Sequence, residues 1–263
     1  MKKIIYDLGA NNGDNIPYYF LKSDLVVAVE ANLNLCNIIK KRFKKEISQK
    51  KLFIENCIVT AEKNSSLKKN FYFHKTNDLL GQYPKPKDNQ LEFFIKNSVI
   101  SKNILSLIKK YGYPYYIKID LEEYDYEILE FLLKSNIKPP YLSVETNKID
   151  TFCALVVLGK YKSFKIVKGH NVHDKYKNVE IDKTNKKKIS FPKYSAGPFG
   201  NDIKGSWISK KNFFYFLSKN KLEWIDIHCS KFDEANENYM KLPKKNLFQR
   251  IKSSIVKRIK MFF

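Results

Sequence analysis

Short apolar runs alternate along this chain with stretches whose apolar residues recur at helical spacing. Runs at residues 3–8, 25–30 and 52–59 predict buried strands, and the segments at 14–22 and 33–47 predict the helices between them. Tyr115-Tyr116-Ile117-Lys118-Ile119-Asp120 predicts a fourth strand, and Pro140-Tyr141-Leu142-Ser143-Val144-Glu145 a fifth after a helix over 124–134. Helices over 101–111, 150–160 and 209–220 and strands over 163–168 and 223–228 complete the pattern. Strands separated by helices join through right-handed crossovers, so the expected class is α/β, with a mostly parallel seven-stranded sheet and helices on both faces. Residues 60–100 are less regular, with Phe71-Tyr72-Phe73 strand-like. The polar stretch at 170–206, rich in serine, lysine, proline and glycine, predicts a surface loop or lid.

The first two strands carry chemistry at their ends. Asp7-Leu8-Gly9-Ala10-Asn11-Asn12-Gly13-Asp14 follows the first, and the second ends in Val29-Glu30-Ala31-Asn32. Glycines let backbone approach a ligand closely, and ligands settle at the carboxyl ends of parallel strands. Glu30 stands where an acid accepts both hydroxyls of a ribose. The turn lacks the tight glycine spacing a pyrophosphate needs, and Asp7 and Asp14 put negative charge at its mouth. That charge suits a ligand bearing an ammonium and a sulfonium, and S-adenosylmethionine (SAM) fits the description.

At 263 residues the chain can bury one substantial core, and a hydrophobic content of 43% excludes a disordered protein. A net charge of +22 favours acidic partners such as nucleic acid, anionic lipid or phosphorylated glycans, but the basic residues are spread along the chain. Cys36, Cys57, Cys153 and Cys229 form no CxxC pair, which points to reduced thiols in a cytoplasmic protein. The chain opens on a strand, leaving no room for a secretory signal, and no apolar run is long enough to span a bilayer. At 100° per residue, Phe248, Ile251, Ile255, Val256, Ile259, Phe262 and Phe263 gather on one side of a basic helix over 246–263. That helix either packs on its own domain or docks peripherally on an anionic membrane surface. Residues 1–230 are thus expected to be the domain, and 231–263 a basic C-terminal extension.

Ile117-Lys118-Ile119-Asp120-Leu121-Glu122-Glu123-Tyr124-Asp125-Tyr126-Glu127-Ile128-Leu129 resembles the K-I-D-V-E-G-x-E-x-x-[VIL]-L segment of the FkbM-type methyltransferases. The earlier DLGANNGD and VAVEAN strings and Leu142-Ser143-Val144-Glu145 match that family in order and spacing, over roughly residues 3–168. Ser195-Ala196-Gly197-Pro198-Phe199-Gly200 matches more loosely. The resemblance implies a Rossmann-like class I methyltransferase that uses SAM to O-methylate sugars and other small hydroxylated acceptors. It implies that Asp7, Gly9, Ala10, Asn11 and Gly13 shape the methionine end of the cofactor, with Glu30 and Ala31 at the ribose. Cys57 and Ile58 would border the adenine, with Asp120 and Glu122 beside the methyl group. Glu123 departs from the family, which has glycine there.

An acceptor hydroxyl is a poor nucleophile until its proton leaves, so a base or a divalent metal is expected. Asp120 is the first choice of base. His170 and His173, after the strand ending near Lys168, and then His228, are further candidates. Asp120, Glu122 and Glu145 would make a hard oxygen cluster suited to magnesium. The polar stretch at 170–206 would then lie over the acceptor. Two rival readings are a nucleic-acid methyltransferase and a non-catalytic module that has kept the SAM fold. Pro139-Pro140-Tyr141 resembles an amino-methylase motif, but Lys138 takes its polar position and the triplet precedes the fifth strand, which marks a strand-entry turn.

Overall fold

The computed structural model describes residues 2–62, 67–146, 148–182, 187–193, 195–219 and 225–235. In chain order the first elements are β1 (Ile4–Leu8), α1 (Ile16–Tyr19), β2 (Leu25–Glu30), α2 (Leu33–Arg42), α3 (Lys44–Ser48), β3 (Leu52–Asn56) and β4 (Ile58–Thr60). An excursion β5 (Lys68–His74) and β6 (Phe94–Asn103) precedes α4 (Ile104–Tyr111), β7 (Tyr116–Ile119), α5 (Asp125–Lys134) and β8 (Tyr141–Thr146). Then come α6 (Ile149–Val157), β9 (Ser163–Val167), α7 (Val172–Lys175), β10 (Val179–Asp182), β11 (Lys187–Ile189), β12 (Ile208–Ser209), α8 (Lys210–Lys219) and β13 (Ile225–Ser230).

The main sheet has the order β12-β9-β13-β8-β7-β1-β2-β3. Neighbours from β8 through β3 pair in parallel, while β13 runs antiparallel to both β8 and β9. The mostly parallel α/β sheet is as expected, with an eighth strand added by the two residues of β12, which pair antiparallel with β9.

Both faces of the central strands are buried, which is why they read as near-continuous apolar runs. Tyr6, Leu8, Val27, Val29, Ile117 and Val144 face one core shared with α4, α5, α6 and α8. Ile5, Val26, Ala28, Tyr116 and Tyr141 face the other, shared with α1, α2 and side chains from residues 172–207. The chain order reverses between β1 and β7: from β1 it runs outward through β2 and β3, then resumes on the other side. The crevice at that switch point is where open α/β sheets bind ligands.

Three sequence expectations change. The helix expected at 33–47 breaks at Phe43, whose φ of −121° and ψ of 37° are not helical. The strand expected at 52–59 splits at Cys57, after which β4 leaves the main sheet to pair with β6. The irregular region holds an antiparallel ribbon, β5 against β6, whose largely exposed residues give little apolar signal.

The polar stretch at 170–206 is anchored to the domain at several of its described residues. Val172, Tyr176, Phe191, Phe199 and Ile203 are buried in the second core, apolar anchors diluted by the lysines around them. No helix among the described residues is long and apolar enough to cross a membrane. The amphipathic pattern at 246–263 lies outside the described residues.

Candidate active site

Gly9 follows β1 with φ of +78°, and a Cβ there would fall 1.7 Å from the Asp120 carbonyl oxygen. Only glycine lets the β1 and β7 ends come this close. Asn11 also takes a positive φ, 49°, which turns its backbone amide toward Glu30. Glu30 Oε2 accepts from Asn11 N at 2.8 Å and Oε1 from Asn32 N at 2.8 Å. The carboxylate is therefore fixed in orientation with lone pairs left for a ligand. Burial pushes its carboxyl up, opposed by these two amides.

Around this carboxylate lies a cavity of about 340 Å³, within the range of small-molecule sites. Gly9, Ala10, Asn11, Glu30, Ala31, Cys57, Ile58, Asp120 and Glu122, all expected at a cofactor, line it together. Two others stand behind its wall. Gly13 packs under it, where a Cβ would meet Ile16, Ile39 and Phe43. Asp7 is buried beneath Lys118 rather than at the lining.

Lys118 organises the β7 end of the cavity. Its Nζ lies 2.9 Å from Asp120 Oδ2, 3.4 Å from Asp7 Oδ1 and 3.0 Å from the Gly9 carbonyl, to which it donates. Burial opposes the ammonium, but Asp120 and Asp7 outweigh it and raise its pKa. Burial likewise works against the Asp120 carboxylate, yet Lys118 and a hydrogen bond shared with Glu145 hold Asp120 below the usual range. Glu145 is pushed well above it, by burial first and then by the Asp120 charge. Burial and Asp120 also bring Glu122 up to about 8. One lysine thus faces several acids, so a proton is retained among them.

Asp120, Glu122 and Glu145 can each place a carboxylate oxygen within 4.8 Å of the others. As hard oxygen donors they fit the chemistry of a magnesium ion, although Lys118 already neutralises part of Asp120.

The histidines do not join them. His170 and His173 are exposed and outside the cavity, and His173 Nδ1 lies 3.1 Å from the Phe191 carbonyl. His228 sits in the middle of β13, paired in register with Ser143 and Lys165. It is 2% exposed, and burial lowers its pKa to about 3. It is a neutral core residue, the last-ranked of the three histidine candidates, carried away from the cavity by an antiparallel strand. The alternation of β13 turns Ile225, Ile227 and Cys229 to one core and leaves His228 facing the other.

Several lining residues were not among the sequence candidates for the site, although Phe71 stands in a strand-like run and Ser195 in a segment that loosely resembles the family. Phe71, Leu79 and Tyr83 arrive from the β5–β6 excursion, Asn15 from the start of α1, and Ser195 from the long segment after β9. Lys118 has no role assigned in the sequence, although it is the lysine of the K-I-D segment that resembles the family's.

No curated protein sequence matches the chain. Among solved structures, precorrin-6y C5,15-methyltransferase from Geobacter metallireducens GS-15 is similar over 88% of this chain and 80% of that one. The TM-score of 0.37 and 10% identity make this likeness too distant to argue from. The model of the methyltransferase FkbM domain matches residues 7–167, which hold Gly9, Glu30, Lys118, Asp120 and Glu145. Matched over more than half its length and with the crevice built by those residues, this chain belongs to the FkbM methyltransferase family.

Proposed function

We propose that this methyltransferase uses SAM to O-methylate a hydroxyl of a sugar or glycoconjugate precursor. The observation that carries the reading is one cavity with Glu30 fixed at its β2 side and Asp120, 2.9 Å from the Lys118 ammonium, at its β7 side. Glu30 would accept from the ribose hydroxyls, and the apolar edge at Ile58 and Phe71 would take the adenine. When bound, SAM supplies an electrophilic methyl group on a sulfonium. Asp120 would accept the acceptor hydroxyl's proton at its carboxylate, with Lys118 fixing its position and charge. Should magnesium bind instead, Asp120, Glu122 and Glu145 would hold it. The excess positive charge suits an acidic glycan precursor.

Calorimetry with SAM tests the cofactor assignment. Glu30→Ala removes hydrogen bonds to a charged group worth roughly 1.5–3 kcal/mol each, so affinity should fall at least about tenfold. Unchanged affinity in the folded variant removes the assignment. A screen of nucleotide sugars and glycan fragments with methyl-labelled SAM tests the acceptor class. Label on a hydroxyl is expected, with Asp120→Asn about two orders of magnitude slower. Sensitivity of the wild type to a chelator would move Asp120 from base to ligand. Label incorporated only into nucleic acid, or full activity in Asp120→Asn, would defeat the reading.

A further inference from the structure

A second cavity, of about 350 Å³, opens beside the acids at the β7 end of the first. Three segments build it. Lys87 comes from the β5–β6 excursion, Glu123 from the turn between β7 and α5, and Glu145 and Lys148 from the end of β8 and the turn after it. Val144 of β8 pairs with Ile119 of β7, which sets Glu145 beside Asp120, with carboxylate oxygens within 4.8 Å. Asp120 lines the first cavity and Glu145 the second, so the two share a wall of acids.

The turn after β7 marks the same boundary. Glu122 and Glu123 are consecutive and both left-handed, with φ of 48° and 72°, a region that glycine enters freely and other residues only at a cost. Glu122 lines the first cavity and Glu123 the second. Backbone strain of this kind concentrates at active sites and ligand clamps. The family carries glycine in place of Glu123, so this side chain is a feature of the present chain and not of the family.

Glu123 has one charged neighbour. Its carboxylate lies 3.9 Å from the Lys148 ammonium, attracted but beyond hydrogen-bond reach, and the two side chains are 57% and 61% exposed. A carboxylate only accepts and an ammonium only donates. Adjacent hydroxyls on a sugar ring suit both heads at once, because a hydroxyl can donate to the one and accept from the other.

We propose that the second cavity holds the acceptor and that Glu123 and Lys148 set its specificity for sugars with neighbouring hydroxyls, one donating to Glu123 and the next accepting from Lys148. The inference rests on the SAM and sugar reading above, to which it adds the place of the acceptor and the hydroxyl pair it must carry. Methyl transfer is an in-line displacement, so the acceptor approaches the methyl carbon from the side away from the sulfur. With the donor in the first cavity, a sugar in the second meets it at the wall formed by Asp120 and Glu145.

Ligand-observed NMR titration of the full chain, saturated with S-adenosylhomocysteine, tests this with the methyl glycosides of glucose, galactose and mannose. Each is paired with a counterpart lacking the middle ring hydroxyl, in which no two neighbouring hydroxyls remain. At least one parent glycoside should bind, and its counterpart at least about tenfold more weakly. Glu123→Gly and Lys148→Ala should each weaken the parent glycoside about tenfold while keeping S-adenosylhomocysteine within about twofold. Glycine suits the backbone at Glu123, so that loss would not reflect a damaged turn. No glycoside bound by wild-type protein that holds S-adenosylhomocysteine, a counterpart that binds as well as its parent, or wild-type glycoside affinity in either variant overturns the proposal. So does equal loss of S-adenosylhomocysteine and glycoside in both variants. A wild-type chain that binds no S-adenosylhomocysteine defeats the SAM reading itself, and methyl label found only in nucleic acid defeats the sugar reading.

Discussion

Two clusters of acids and lysines sit on opposite sides of this sheet, and they are built in opposite ways. At Glu55 of β3 one buried carboxylate receives Lys102, Lys110 and Tyr111, with Lys110 Nζ 2.8 Å from Oε1. Burial pushes that carboxyl up, but the three donors outweigh it and bring it down to about 2. At Lys118 the ratio inverts, with one buried ammonium among Asp7, Asp120, Glu122, Glu145 and Asp226. Burial, with Asp120 adding to it, leaves Asp226 and Asp125 up at about 7. The donor-rich cluster is saturated and ties β3, β6 and α4 together. The acid-rich cluster cannot be satisfied from within, and two of its acids, Asp120 and Glu122, line the cavity. Unfulfilled electrostatics concentrate where chemistry is done.

The largest effect should come from removing the single cation. Lys118→Met would leave the buried Asp7 and the half-buried Asp120 without a counter-charge, and breaking a buried pair this way costs about 3–5 kcal/mol. Denaturant unfolding should show that loss, with methyl transfer abolished in protein that still folds. A variant as stable as wild type would mean that Asp7 and Asp120 simply take up protons, and that Lys118 does not hold the site together.

Breaking the saturated cluster should cost less and leave the chemistry intact. Glu55→Gln keeps the shape but removes the charge on which Lys102 and Lys110 converge, a loss of about 1–3 kcal/mol near neutral pH. The folded carboxyl titrates near 2, below the roughly 4.3 of an unfolded glutamate. The unfolded chain therefore binds more protons between those values. The stabilisation is complete above about pH 4.5 and disappears as pH falls toward 2. The gap between wild type and Glu55→Gln should close over that window while SAM affinity near neutral pH stays unchanged. A gap independent of pH would mean that Glu55 acts through packing rather than charge.

The contrast also marks what a sequence yields. Gly9 and Asn11 are legible because their turn directly follows an apolar strand, and Glu30 because it ends the next apolar run. Asp120, Glu122 and Glu145 are legible together because β7 and β8 are neighbours and end at the same rim. Asn15 and Ser195 are not legible as lining of one cavity, since 180 residues separate them and the buried anchors of the segment that carries Ser195 are scattered among lysines. His228 shows the opposite error: its chemistry invited a role, and strand alternation buried it. The donors of Glu55 come from the excursion and from α4, so nothing near Glu55 in sequence announces them.

The smallest effect sharpens the comparison by easing strain in the acid-rich loop. Glu122 and Glu123 follow β7 with φ of 48° and 72°, the left-handed region that favours glycine. Glu123 occupies the position where the family carries glycine, and its side chain is 57% exposed, with only a 3.9 Å approach to Lys148. A left-handed non-glycine residue costs about 1–2 kcal/mol, and the extra freedom of glycine in the unfolded chain returns roughly half of that. Glu123→Gly should therefore stabilise the protein by about 0.5–1 kcal/mol. Glu123→Ala removes the same charge but keeps the strained backbone, so it should gain nothing comparable. Denaturant unfolding of the two variants side by side separates strain from charge. Equal stability of the glycine and alanine variants would show that the loop carries no strain at Glu123 and that only its charge matters there.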